Sequence, residues 1–580
     1  MKNTLIALGI AVCLALAAIA GQQSMEAATV PPYEVWVLDQ SKSDLNDNPA
    51  LIGNPSAPCD LTKSDCDGRT DDGGYLYVWS GKTKGGINQK PLKIDLAQAA
   101  RNGVKRNPDG TYSLNPYPIG LRPHIPGHNA TAFTTENATH VAINYVAPPA
   151  RAADGGVLFM RVDNKKAVGW VQAPNIHMPG PSPHDDLLAG VAPAAKKLYV
   201  MTTDYLNENF ALDSTVDLGT VKQDFILGTP EHDDGATDAY KLESLLGAPA
   251  NAQCANWTPD SQFVFVTFGK GGLAVFQVKD GDTVLHPPAL KEVYPWDVNP
   301  GEGCGLLQHP DGDTVFTSGA TRAVDQEYVF KWSMGTKDVT PTYMGDGLTN
   351  DLLATIPLNP AGRGDSHGPM FTNLGQYMWI AMRMDNEIKV IDTTANTVIR
   401  TLPVTRGECG KGDDGDDDDD GLDSDDDDCT PPNLTPDVID INPQNTLMFV
   451  TLRGFCPLTG GINSFVDEDY NRICTAPIPP VTLADGDPLD PVPGDGMPVT
   501  LGATYDNGVN PPVAVPLKIE TDGRMPGMAV FKVNRDGTRG PLVKIYRISN
   551  KVPDTHPANN GWLDVAEPHG LKVVPRAVVP

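Results

Sequence analysis

Short apolar runs punctuate the whole chain, separated by clusters of Pro, Asp, Asn and Gly, and they recur in a fixed order. A unit opens on a polar, His or Cys position, passes through a short apolar strand and a Pro/Asp/Asn/Gly turn, then gives a strong strand ending in Thr, Val or Ala, then two more strands. The clearest example runs from His367-Gly-Pro-Met-Phe-Thr-Asn-Leu-Gly through Tyr377-Met-Trp-Ile-Ala, Ile388-Lys-Val-Ile-Asp and Val398-Ile-Arg-Thr-Leu. Four strands in about forty residues predict one antiparallel sheet.

The same order returns elsewhere, as an internal repeat must. Cys254 to Thr258 precedes Phe263-Val-Phe-Val-Thr, Cys304 to Gln308 precedes Thr314-Val-Phe-Thr, and Asp437-Val-Ile-Asp-Ile precedes Leu447-Met-Phe-Val-Thr. Earlier units start near His128 and His184. Near the carboxyl end, His569-Gly-Leu-Lys-Val-Val reads as an inner strand without outer ones. Tyr33-Glu-Val-Trp-Val and Tyr75-Leu-Tyr-Val-Trp, near the amino end, read as outer strands without an inner one. Joining the two completes a seventh unit and removes exposed sheet edges. The predicted fold is therefore all-β, a seven-bladed β-propeller over residues 29–580 with irregular insertions at 405–435 and 456–525.

Composition agrees: Gly 57 and Pro 53 in 580 residues exclude a coiled coil, a helical bundle or a collagen. The net charge of −29 argues against a nucleic-acid partner, which needs a basic surface. Leu5 to Ala20 is an apolar run behind Lys2, too short to span a membrane comfortably, so residues 1–28 read as a cleaved secretory signal. The expected location is secreted or periplasmic, with no membrane span. Beyond Cys13 in that run, the remaining cysteines are even in number, as in a disulfide-permissive compartment. Local spacing suggests Cys59 with Cys66, Cys409 with Cys429 and Cys456 with Cys474, leaving Cys254 and Cys304. No Cys-x-x-Cys spacing supports a thioredoxin-type site or c-type haem attachment.

In a propeller the first strand of each blade lines the central channel, so equivalent strand starts converge on one ring. The repeat alignment places His128, His184, Cys254, Cys304, His367, Asp437 and His569 there. Imidazole, sulfur and carboxylate donors suit transition metals, copper and zinc especially. The same pattern also fits histidines that hydrogen-bond neighbouring blades and a Cys254–Cys304 disulfide, and both readings stand. His124 and His177, followed by Ile-Pro-Gly and Met-Pro-Gly, read as loop residues, the alternative being a lid over the channel, and Arg363, Asp365 and Arg453 as solvated ion-pairing groups, the alternative being a site for an anionic substrate at the channel mouth.

Between Asp413 and Asp428, 12 of 16 residues are Asp. Asp416, Asp418, Asp420, Leu422, Ser424 and Asp427, with Gly421 at the sharp turn, have the spacing of a calcium loop, and a structural calcium ion is expected there. The closing Asp428-Cys429 resembles the thrombospondin type 3 calcium repeat, although Ser424 replaces the usual Asp. The alternative is a solvated acidic tract.

Asn386-Glu-Ile-Lys-Val-Ile-Asp-Thr-Thr-Ala-Asn-Thr-Val-Ile-Arg-Thr-Leu-Pro-Val resembles the repeat of YVTN-type propellers, a superfamily that includes lactonase-like proteins and the propeller domains of nitrite and nitrous oxide reductases. Phe449-Val-Thr-Leu-Arg-Gly, Pro526-Gly-Met-Ala-Val-Phe and Glu567-Pro-His-Gly-Leu are similar to the end of secreted members. The resemblance implies the fold; nitrous oxide reductase sites use a vicinal histidine pair that this chain lacks. Three functions remain in view. One is a copper-dependent oxidoreductase acting on a small inorganic or sulfur substrate at the channel. Another is a calcium-stabilised surface or periplasmic protein binding a small-molecule, protein or glycan ligand, with 456–525 as its recognition element. The third, a lactonase-like hydrolase, rests on resemblance; no Gly-x-Ser-x-Gly elbow or His-Glu-x-x-His motif supports it.

Overall fold

The computed structural model describes residues 33–39, 74–82, 86–118, 127–132, 139–145, 155–193, 195–222, 241–269, 271–294, 302–312, 314–321, 326–333, 352–359, 366–383, 385–404, 435–453, 527–548 and 568–575, with short pieces between 465 and 564. Seven four-stranded antiparallel sheets form the blades. Blade 1 is Pro568–Pro575, Tyr33–Asp39, Tyr75–Ser80 and Leu92–Asp95, so a strand from near the carboxyl end supplies the inner edge of the first sheet. The inner strands of blades 2 to 7 are Gly127–Ala132, His177–Pro181, Ala252–Trp257, Glu302–Gln308, Ser366–Thr372 and Pro436–Ile441. Each lies beside the inner strand of the next blade, and Pro436–Ile441 lies beside Pro568–Pro575, which closes the ring.

The hydrophobic pattern produces this arrangement because every blade is packed on both faces. In Tyr33–Asp39, Tyr33, Val35 and Val37 face blade 7, against Phe449 and Val530. Trp36 and Leu38, one residue out of phase, face blade 2, against Val141 and Ile143. All five are essentially inaccessible to water, and each such side chain contributes about 1.5–3 kcal/mol. A one-residue slip would exchange the two faces and dismantle two seams at once. Seven hydrophobic clusters, one at each seam, make up the core. Some outermost strands face solvent instead: Thr397–Pro403 is largely exposed, whereas Ala167–Gln172, the outermost strand of blade 2, is largely buried.

Charged groups also cross the seams. Lys165, in a turn of blade 2, donates to both carboxylate oxygens of Glu34 in blade 1 at 3.1 and 2.8 Å, and the Trp36 indole N–H donates to the same carboxylate at 2.9 Å. In blade 7 the second strand, Leu447–Leu452, pairs with Gly527–Lys532 across the long insertion, within which two short ladders are described, Phe465–Val466 with Arg472–Ile473 and Val481–Thr482 with Thr504–Tyr505. The acidic-loop residues Asp416, Asp418, Asp420, Leu422, Ser424 and Asp427 lie outside the described residues. So do residues 1–28 and the cysteine pairs 59/66, 409/429 and 456/474. No helix among the described residues is long and apolar enough to cross a membrane.

Candidate functional site

All seven inner strands share one irregularity: each slips register against its neighbour at its first residues, at the same end of the channel. A bulge of this kind takes a residue out of the ladder and re-aims its side chain. The residues at or beside the slip are His569, His128, His177, Gln253, Cys304, His367 and Asp437, in blades 1 to 7.

The structure corrects this ring in blade 3. His184 is exposed, in the turn after the inner strand, at the opposite end of the channel, where its backbone N–H donates to Ser261 Oγ at 3.1 Å. The inner strand begins seven residues earlier, at His177. The Pro179-Gly180 pair reads as a loop, but Pro179 falls in the bulge, where no ladder hydrogen bond is required, and Gly180 rejoins the ladder opposite Ala189. A signal was present: His177-Met-Pro and His367-Gly-Pro share their spacing, and the residue after each histidine has positive φ, 44° at Met178 and 48° at Gly368.

Asp437 is the centre of the site. It is 0% exposed. Arg383 donates to its Oδ1 through Nε at 3.0 Å and through Nη2 at 2.7 Å, and Arg453 Nε lies 3.7 Å from Oδ2. His569 Nδ1 hydrogen-bonds Oδ2, and His367 Nε2 stands 3.5 Å from Oδ1. The two imidazole centroids are 6.0 Å apart. Arg383 and Arg453 each directly follow the second strand of consecutive blades, Tyr377–Met382 and Leu447–Leu452. The repeat therefore places them in equivalent positions, a correspondence that identifies Arg383, which the strand-start alignment overlooks. Arg453 is buried in this cluster rather than solvated, and Arg363 and Asp365 lie outside the described residues. Thr451 fixes the seam, accepting from the Val438 N–H at 3.0 Å and donating to the His569 carbonyl at 3.1 Å.

Burial opposes ionisation of Asp437, but the Arg383 guanidinium and the two imidazoles outweigh it and hold its carboxyl well below the usual carboxylate range. Burial, followed by the Arg383 charge, pushes His367 well down. Burial also lowers His569, against the pull of Asp437. His177, whose Nδ1 donates to the Gln253 carbonyl at 2.6 Å, is lowered by burial to about 4. At neutral pH the site thus holds an ionised carboxylate against the Arg383 guanidinium, and burial biases its imidazoles toward the neutral form.

Of the predicted metal-ligand set, the described residues bring only His367 and His569 together. His184 is at the wrong end, and Cys254 is disulfide-bonded and offers no thiolate. The side chains of His128 and Cys304 lie outside the described residues, which leaves His367 and His569 on a carboxylate already held by arginine. Among the described residues no group of three or more His, Cys, Asp or Glu could hold a metal ion.

No family model matches the chain, and no curated protein matches it. Among solved structures it is similar to a protein from Lactobacillus plantarum, at 10% identity over 94% of this chain and 99% of that one, with a TM-score of 0.46. It is similar to a putative 6-phosphogluconolactonase from Bacteroides fragilis, at 8% identity over 94% and 99%, TM-score 0.46. A third similar structure is Kuenenia stuttgartiensis hydrazine synthase, at 9% identity over 70% of this chain and 93% of that one, TM-score 0.35. Likeness at this level carries no argument about chemistry.

Proposed function

We propose that the chain is an extracytoplasmic binding propeller whose channel end takes a small anionic ligand. The observation that carries this reading is the cluster around Asp437, in which two guanidiniums and two imidazoles from three consecutive blades face one carboxylate. Both guanidiniums come to the same buried end of the channel, and planar guanidinium is suited to carboxylate and phosphate oxygens. The test is titration of the purified full chain with acetate, phosphate and sulfate, read by calorimetry and thermal unfolding. Saturable binding of at least one of these anions, weakened in Arg453→Gln, is the expected result; no binding of any overturns the reading.

A transition-metal reading keeps one specific support. Nδ1 of His569 is fixed by Asp437 and Nδ1 of His177 by the Gln253 carbonyl, the outer-shell arrangement that orients imidazole ligands. Copper there would support redox chemistry on a small inorganic or sulfur substrate. Stoichiometric copper in untagged protein, retained after dialysis and lost in a His367→Ala, His569→Ala double variant, would favour this alternative.

A further inference from the structure

The face of the propeller away from Asp437 carries a second group of titratable side chains. His140 opens the second strand of blade 2, His140–Tyr145, whose last residue pairs with Gly127 at the bulged end, so His140 stands at the other end. It is 4% exposed. Glu208 reaches it from blade 3, from the turn between Lys197–Asp204 and Asn209–Asp217. That turn is tied by the Asp204 carboxylate, which accepts from the Asn207 backbone N–H at 3.0 Å and from its Nδ2 at 2.8 Å. Glu208 has a left-handed φ of 53°, and its side chain is 0% exposed.

Glu208 Oε1 accepts from Arg161 Nε and lies 3.3 Å from His140 Nε2. A carboxylate has no proton to give, so Nε2 carries the hydrogen and Nδ1 keeps its lone pair. Thr139 Oγ1 is 2.8 Å from that Nδ1, and its hydroxyl is therefore the donor. Unlike its two partners, Thr139 is exposed. Its carbonyl accepts from the Val162 N–H at 2.8 Å, which fixes the residue beside the neighbouring strand. The Tyr205 and Phe210 rings, with centroids 5.4 and 6.0 Å from that of His140, pack against the imidazole. Burial lowers the His140 pKa, against the pull of Glu208, and so favours the basic form. Hydroxyl, imidazole and carboxylate thus follow one another, an order that makes an alcohol nucleophilic. A seam held by Glu208 and Arg161 has no need of an exposed hydroxyl on the basic nitrogen.

We infer that Thr139, His140 and Glu208 form an acyl-transfer site for small activated esters. Thr139 Oγ1 bonds to the acyl carbon while its proton passes to His140 Nδ1. The imidazolium so formed faces the Glu208 carboxylate, which offsets its charge. The bond between the acyl carbon and the leaving oxygen then breaks, and the aryloxide takes the proton back from Nδ1. Water adds to the Thr139 ester with Nδ1 as base, releasing the carboxylic acid and restoring the hydroxyl. An aryl ester suits the site because its leaving group is stable as an anion and needs no other acid. The inference is independent of the anion reading and stands or falls without it.

The test is p-nitrophenyl acetate with the purified full chain, read as p-nitrophenolate release and as the mass of the acid-quenched protein. A stoichiometric burst is expected, with a single acetyl group mapped to Thr139 by fragmentation of its peptide. Thr139→Val should remove both, and the exposed position spares the fold; Thr139→Ser should keep both. His140→Gln should slow the burst by about a hundredfold, the scale of a positioned general base. Glu208→Gln, which leaves both imidazole tautomers open, should slow it while Thr139 remains the residue acetylated. If either buried variant fails to fold, the two Thr139 variants decide. Absence of a burst, acetylation confined to lysines, or a burst that survives Thr139→Val overturns the inference.

Discussion

Asp437→Asn keeps the shape of the side chain and removes its charge. On a protein surface, loss of such a pair costs at most about 1 kcal/mol. Here the carboxylate is 0% exposed, and Arg383 and Arg453 are 5% and 4% exposed. The appropriate comparison is a buried pair broken from one side, which costs about 3–5 kcal/mol because the partner charge stays in a low-dielectric site. A ring of seven blades need not unfold in one step, so hydrogen exchange read by mass spectrometry on the inner strands of blades 7 and 1 is the better assay. Exchange in Pro436–Ile441 and Pro568–Pro575 is expected to accelerate by roughly two to four orders of magnitude. Adding Arg383→Met, which removes the stranded guanidinium but keeps its apolar stem, is expected to recover part of the loss. Because folding depresses the Asp437 pKa, its stabilisation is present above the unfolded value of about 4 and is lost as pH falls through the folded value, an acid limb that Asp437→Asn should lack. An acceleration below tenfold, or a double variant no more protected than the single one, would refute the reasoning.

Four further outcomes are expected. His177 titrates at about 4 when folded and near 6.5 otherwise, so stability should rise with pH across that window; His177→Gln should flatten the slope, by on the order of 3 kcal/mol in total, in melting temperatures taken from pH 4 to 7. A Cβ at Gly368 would stand 2.7 Å from the Asp437 carbonyl oxygen and 2.7 Å from Val438 Cα, at a φ of 48°, so Gly368→Ala should push blades 6 and 7 apart, lower the melting temperature and weaken anion binding. Lys165→Met leaves the Glu34 carboxylate buried without its ammonium and should cost about 3 kcal/mol, with Glu34→Gln in the same chain restoring part of it; full stability of the single variant would contradict that seam. If Asp416, Asp418, Asp420 and Asp427 hold calcium as their spacing suggests, a chelator should lower the melting temperature, and an unchanged value would leave the segment as a solvated acidic tract.

Much of the architecture can be read from residue order alone, because a strand packed on both faces must be apolar at nearly every position and each blade repeats that demand. Tyr33-Glu-Val-Trp-Val and His569-Gly-Leu-Lys-Val-Val declare their incompleteness separately, and their pairing follows from the need to cover an edge. The channel end is less legible. His367, Asp437 and His569 stand at recognisable strand starts, whereas His177 is masked by a Pro-Gly pair whose proline would break an ordinary strand and is tolerated at a bulge. Arg383 and Arg453 follow the ends of second strands, and their approach to Asp437 depends on the three-dimensional stacking of blades. Thr139 and His140, on the other face, give no sequence signal, because their partner Glu208 stands 68 residues beyond His140 in another blade.

The seven bulges also bear on how such a protein changes over generations. A side chain inside a ladder is constrained by the partners that fix its register, so exchanging it risks the blade. The residues at the slipped positions have largely left that agreement, and they already differ among blades while the backbone irregularity recurs in all seven. Scaffold and specificity are thereby placed on separate sets of residues. A lineage could revise what the channel end accepts one blade at a time, each step sparing the strand pairing, and the combination of Asp437 with its imidazoles is one setting among the many that the same ring can carry.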